Sequence, residues 1–178
     1  MTDLPAILST STVYRGKLFD VDLTELRMAN GVIAKREGII HPGAVAMVPV
    51  TDDGKLLLVT QYRHSAGRRL LEIPAGTLEK GEEPRAAVDR ELQEEVGMLP
   101  GKVEAMGGFY VAPGYTSEYI HLFVCSELRA SSLDGDEDED IDIHPTTVEE
   151  ALAAIESGEI CDAKSVIGIL RWHAAWGR

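Results

Sequence analysis

Three glutamates, Glu91, Glu94 and Glu95, stand at offsets 0, 3 and 4. In a helix that spacing puts all three carboxylates on one face. Like charges so placed repel by a few tenths of a kcal/mol per pair, roughly. The repulsion becomes useful if the face gathers divalent cations, since hard carboxylate oxygens suit Mg²⁺ or Mn²⁺. Taken alone, E-x-x-E-E is more often a solvated acidic face. The helix itself is well marked. Pro84 fits the first helical position, where its missing N–H costs nothing. The pattern runs to about Val96, and Gly97 is the stop. Val88, Leu92 and Val96, at four-residue spacing, turn toward a core. Ahead of the helix, Leu70 to Ile73 reads as a short strand ending at Pro74-Ala75-Gly76.

The surrounding residues change the weighting. Gly76, Glu82, Arg90, Glu91, Leu92, Glu94, Glu95, Gly97 and Met98 stand in the spacing G-x5-E-x7-R-E-U-x-E-E-x-G-U, where U is apolar. This resembles the signature of the Nudix hydrolases at every specified position. Gly76 lets the loop turn tightly, and Glu82 and Arg90 pair to fix the loop on the helix. The resemblance implies hydrolysis of a nucleoside diphosphate linked to another group, with Mg²⁺ or Mn²⁺ as cofactor. It implies Glu91 and Glu95 as the most direct metal ligands, with Glu94 beside them. Bound metal neutralises the diphosphate and acidifies water, so an acidic protein can take an anionic substrate.

Phrases outside the box are similar to the ADP-ribose pyrophosphatase branch: Arg36-Glu37, His41-Pro42-Gly43-Ala44-Val45-Ala46, Gln61-Tyr62-Arg63, Leu71-Glu72-Ile73-Pro74-Ala75-Gly76, and Asp162-Ala163-Lys164-Ser165. Pro113, sixteen residues after Gly97, matches the branch-marking proline. The branch implies hydrolysis of ADP-ribose to AMP and ribose 5-phosphate; a diphosphatase of another nucleoside-diphosphate sugar, such as GDP-mannose, is the alternative. It implies the backbone carbonyl of Ala75 as a metal ligand, and Arg36 and Arg63 as forked donors to substrate phosphate, against surface ion pairing. Glu72 is set between accepting from adenine and pairing with an arginine, and Glu118 between touching ligand or metal and doing neither. Tyr14, Phe19 and Tyr62 are candidates to stack on the base, each otherwise a core residue. Related enzymes are dimers that exchange N-terminal strands, so a homodimer is expected.

Asp134 to Asp142 holds seven acidic residues in nine. A solvated charge run is the plain reading. A calcium loop fails, because counting from Asp134 puts Glu139 at position six and Pro145 at position twelve, where Gly and Glu are needed. In the resembled branch a loop here carries the glutamate that activates water. Aligned on the Glu-Asp-Ile run, the resemblance implies Glu137 as that base and Glu139 as a metal ligand.

The chain has 178 residues and a net charge of −13 from 17 basic and 30 acidic side chains. Its pI near 4.7 argues against nucleic acid or an anionic membrane as partner. No apolar run approaches the ~18 residues of a membrane span, and the first residues lack a signal-peptide pattern. Two cysteines, Cys125 and Cys161, cannot build a disulfide framework or a four-cysteine zinc site, and suit a cytoplasmic protein. Residues 12–40 read as a β-hairpin or meander with a turn at Ala29-Asn30-Gly31. Ala44 to Val50 and Lys55 to Tyr62 flank an Asp-Asp-Gly turn, so a hairpin is expected. Two or three strands lie between Val103 and Glu127. Thr147 and Glu150 form a capping box, and Asp162 caps a last helix with Val166, Ile169, Leu170 and His173 at helical spacing. The fold class expected is α/β (α+β), an α/β/α sandwich with a mixed sheet. An N-terminal β-region (1–40), exchanged between protomers, should precede a hydrolase domain (41–178).

Overall fold

Strands buried on both faces carry unbroken apolar runs rather than alternation, and Ala44–Pro49 is such a run, every residue buried. The computed structural model describes residues 4–135 and 140–176. Its elements are β1 (Ala6–Arg15), β2 (Asp20–Arg27), β3 (Ile33–Ile40), β4 (Ala44–Pro49), β5 (Leu56–Arg63), β6 (Arg68–Glu72), β7 (Ala75–Thr77), α1 (Pro84–Glu95), β8 (Met98–Tyr110), β9 (Tyr119–Ala130), β10 (Asp142–Thr146), α2 (Val148–Ser157) and α3 (Ala163–Trp176).

The chain divides into two compact units. The first comprises residues 1–43 and 110–119. In it β1, β2 and β3 form an antiparallel meander. Residues 110–119 dock on β3: Ile39 N donates to Tyr115 O (2.8 Å) and Ser117 N to Ile39 O (2.9 Å).

The second unit comprises residues 44–109 and 120–178. It holds a four-stranded mixed sheet, β7-β4-β9-β8, and a three-stranded sheet, β10-β5-β6. β4 runs parallel to β9 and antiparallel to β7. Alternation divides the core in two. Ala44, Ala46, Val48, Leu56, Leu58 and Leu122 point to a cluster with Ala151, Ile169 and Trp172 of α2 and α3. Val45, Met47, Leu57, Val59 and Phe123 point the other way, to Val88 and Leu92 of α1. Helices therefore cover both faces, the α/β/α arrangement expected.

The ends of the helices follow their signals. Pro84 opens α1, and Gly97, just past the C-cap Val96, has φ +68. Thr147 and Glu150 close the capping box of α2 reciprocally, and Asp162 Oδ1 accepts from Ser165 N at the start of α3 (3.1 Å).

The structure departs from the sequence reading at three places. β4 and β5 do not pair as a hairpin. Only the bridge Val50 to Leu56 joins their ends, because β7 and β9 take both edges of β4 while β6 and β10 take both edges of β5. β10 was not anticipated; it holds Pro145, and proline is tolerated in a sheet only where it removes no needed donor, as at an edge. On α3 the buried residues are Ser165, Gly168, Ile169 and Trp172, whereas Leu170 is exposed; Gly168 packs against Ile73, Leu122 and Val48, which turns the inner face away from Leu170.

Candidate active site

The second unit assembles the glutamate face of α1 against β7. Glu91 and Glu95 are only 8% and 6% exposed, while Glu94 is half-buried. Two buried carboxylates one turn apart need specific partners, because burying unpaired charge is costly. Glu95 Oε2 accepts from Ala75 N (3.0 Å). The Glu91 carboxylate lies against the Cα of Gly76, where a Cβ would collide with it. Gly76 is thus required for close approach, and its backbone is outside the left-handed region.

Arg90 is shared among the carboxylates of this face. Its Nε and Nη2 donate to Glu82 Oε1 and Oε2, both at 3.0 Å, in a fork that locks the loop after β7 onto α1. Its Nη1 stands 2.7 Å from Glu91 Oε1 and donates to Glu94 Oε2 at 3.0 Å. The hydrogen bond with Glu82 is the main cause that raises the Arg90 pKa, and the same bond lowers that of Glu82. The Glu82–Arg90 pairing expected from the sequence is present.

Beside this face lies a second charged group. Glu72, on β6, is 1% exposed. It accepts from Arg63 Nε (3.0 Å) and Nη2 (2.7 Å), and from Lys164 Nζ (2.7 Å). Burial pulls the Arg63 pKa down, but the Glu72 hydrogen bond, with the charges of Glu72 and Glu95, outweighs it and leaves the value raised. Of the two readings of Glu72, pairing with an arginine is the one the geometry displays.

Glu95 meets the backbone at Ala75 and Glu91 meets it at Gly76, and hard oxygens of the kind Glu91, Glu95 and the Ala75 carbonyl carry would suit Mg²⁺ or Mn²⁺. Among the described residues no three His, Cys, Asp or Glu side chains form a group that could hold a metal. The remaining expected carboxylates, Glu137 and Glu139, lie outside the described residues. Their flanks are anchored. Leu133 N donates to Gln93 O (3.2 Å) and Gly135 approaches the Glu94 backbone. On the other side Arg69 binds Asp140 and Asp142, both at 2.6 Å.

Arg36 and Glu118 belong to the first unit. Arg36 is exposed on β3, its Nη1 donating to Lys35 O (2.9 Å). Glu118 is half-buried, with its N–H on Thr116 Oγ1 (3.1 Å). A cleft of about 400 Å³ in that unit is lined by Ile39, Tyr110, Pro113 and Tyr115. Tyr14 and Tyr62 are exposed rather than in the core, and Tyr14 and Phe19 rings lie 6.1 Å apart.

The family model of the NUDIX domain matches residues 40–166. The chain belongs to the Nudix family. It is 40% identical over 164 residues to the ADP-ribose pyrophosphatase of Bacillus subtilis (strain 168), covering 91% of this chain and 89% of the relative. It is 35% identical to the ADP-ribose pyrophosphatase of Mycobacterium tuberculosis, covering 94% and 82%. A crystal structure of an ADP compounds hydrolase superposes with a TM-score of 0.89 at 29% identity, covering 100% of this chain and 98% of that one. In this Nudix chain, sequence reasoning gave no role to Lys164 or Ser165 and read Asp162 only as a helix cap. The signal available was the phrase Asp162-Ala163-Lys164-Ser165, whose side chains only the fold connects to Glu72 and Ile73.

Proposed function

We propose that this Nudix protein hydrolyses the diphosphate of ADP-ribose, releasing AMP and ribose 5-phosphate, with Mg²⁺ or Mn²⁺ as cofactor. The observation that carries the reading is the convergence of two buried carboxylates, Glu91 and Glu95, on the Ala75–Gly76 backbone. The relatives named for ADP-ribose supply the substrate class. Glu91, Glu95, Glu139 and the Ala75 carbonyl would hold the cation, with Glu94 completing the acidic face. When bound, it supplies positive charge to the diphosphate and acidifies water. Arg90 and Glu82 keep the loop and helix in register. Arg63 and Arg36 bind phosphate oxygens, and Glu118 contacts the substrate. Glu137 takes the proton of the attacking water.

The first unit serves as a dimerisation region, with residues 1–40 exchanged between protomers ahead of the hydrolase domain at 41–178. β1 is exposed along its whole length and presents Ile7, Leu8, Val13 and Tyr14, and exposed apolar edge strands call for a partner. Light scattering should give twice 19.4 kDa; a monomer removes this part. No helix among the described residues is long and apolar enough to cross a membrane. Cys125 and Cys161 are free thiols, which supports a cytoplasmic location.

The test is AMP or GMP release from ADP-ribose, GDP-mannose, NADH and diadenosine compounds with Mg²⁺ or Mn²⁺. ADP-ribose should be preferred. A preference for GDP-mannose defeats the substrate and keeps the chemistry. Glu137→Gln should be inactive; an active Glu137→Gln beside a dead Glu139→Gln moves the base.

A further inference from the structure

The phrase Asp162-Ala163-Lys164-Ser165 carries no part of the function proposed above, yet its side chains reach the strand that leads into the site. Lys164, at the start of α3, has a side chain only 12% exposed. Its Nζ bridges Glu72 Oε2 (2.7 Å) and Asp162 Oδ1 (3.0 Å). Asp162 Oδ1 also accepts from Ser165 N (3.1 Å), which fixes the carboxylate relative to the helix. Fully buried Ser165 accepts from Ile73 N through its Oγ (2.9 Å). Two residues on, Ala75 N is held by Glu95. The Ile73–Ala75 segment is therefore pinned by α3 at one end and α1 at the other.

The charges are arranged in a chain: Arg63, Glu72, Lys164, Asp162. Two cations and two anions balance. If Glu72 faced Arg63 alone, the guanidinium would be largely cancelled by its own counter-ion. Lys164 shares Glu72, so Arg63 keeps its orientation and the group of four presents no net negative charge to an anionic ligand. Loss of the ammonium leaves two carboxylates against one guanidinium, a local charge of the wrong sign for a diphosphate.

The geometry points to Lys164 as a positioning residue that, through Glu72, sets Arg63 to receive the diphosphate of the substrate. This rests on the diphosphatase reading. Lys164 touches no reacting atom, so its effect belongs in binding rather than in the chemical step. A charge-assisted hydrogen bond lost from a mostly buried pair corresponds to about tenfold in affinity.

The experiment compares wild type, Lys164→Met, Lys164→Gln, Lys164→Arg, Arg63→Ala and the Lys164→Met/Arg63→Ala double variant in the full chain. Two readouts are used: ADP-ribose hydrolysis with Mg²⁺, and calorimetric affinity for ADP with Mg²⁺. Lys164→Met should raise KM about tenfold and leave kcat within about threefold, with ADP affinity weakened in parallel. Lys164→Gln keeps a donor without the charge and should show the same rise, so the test survives if methionine disturbs folding. Lys164→Arg should recover most of the wild-type KM. In the Arg63→Ala background Lys164→Met should add nothing, because the two act in series. Wild-type KM and ADP affinity in folded Lys164→Met and Lys164→Gln overturn the proposal, as does an effect that multiplies fully with Arg63→Ala. Wild-type protein that binds ADP but leaves ADP-ribose intact sinks the substrate reading alone, and the ADP affinities of the variants then decide the role of Lys164.

Discussion

Replacing Gly76 with alanine isolates what the close approach of β7 to α1 does for catalysis. Because the glycine is not in the left-handed region, alanine meets no backbone penalty, and the cost is steric. The new Cβ falls on the carboxylate of Glu91, whose three carboxyl atoms are its nearest neighbours. The carboxylate must withdraw by more than a bond length. It is 8% exposed and stands 2.7 Å from Arg90 Nη1, so it has little room. Overpacking of this kind costs about 1–3 kcal/mol. At this chain length each kcal/mol lowers Tm by about 2–4 °C, which gives a fall of roughly 2–12 °C. A carboxylate moved by about 1 Å from its working position loses about a hundredfold in rate, so turnover should fall by at least that factor. Calorimetry and AMP release measure the two effects. The Glu91→Ala background separates clash from general damage: with the carboxylate gone, Gly76→Ala should cost little further stability, while activity stays lost. Near-wild-type turnover in Gly76→Ala, or Tm losses that simply add in the double variant, would refute the reasoning.

Glu95→Gln should cut turnover by orders of magnitude with the fold intact by circular dichroism; a mild loss argues against its place among the metal ligands. Glu72→Ala strands Arg63 and Lys164 without their shared carboxylate, and removing one partner of a buried pair costs about 3–5 kcal/mol, which thermal unfolding should register. The hydrogen bond from Arg90 holds the Glu82 pKa below its ordinary 4.5. Its contribution to stability is thus complete above that value and is lost as pH falls through the lower folded-state value. Tm should therefore drop more steeply below about pH 4.5 in wild type than in Glu82→Gln; equal slopes would remove the linkage. Burial pushes the Cys125 thiol up to about 12, and Cys161 is exposed. A thiol reagent at pH 8 should label one cysteine in the native protein and two after unfolding.

Local chemistry was legible wherever a residue acts on its own neighbourhood. Pro84 and Gly97 bound the glutamate helix, and Thr147 and Glu150 cap the next, because capping needs only residues a turn apart. The glutamate face and the Glu82–Arg90 pair were readable because helical periodicity and one short loop connect them. Strand pairing was not. The Asp-Asp-Gly turn after β4 reads as a hairpin, but which strand occupies an edge is a contest among β7, β9, β6 and β10, settled by covering both faces with helices. On α3 the helical spacing picks out Ile169, which is buried, but not Gly168, whose close approach leaves no apolar side chain to read.

Composition and spacing by themselves determined the chemistry on offer: an acidic chain with a rigid row of carboxylates behind a glycine turn. Only the tertiary structure decided that Glu91 and Glu95 are buried against Ala75 and Gly76, and that Lys164, 92 positions along, shares Glu72 with Arg63. The reason is physical. Periodicity orders residues within one element, whereas a buried charge finds its partner by whatever the packed core brings within about 3 Å, and that distance bears no relation to separation along the chain.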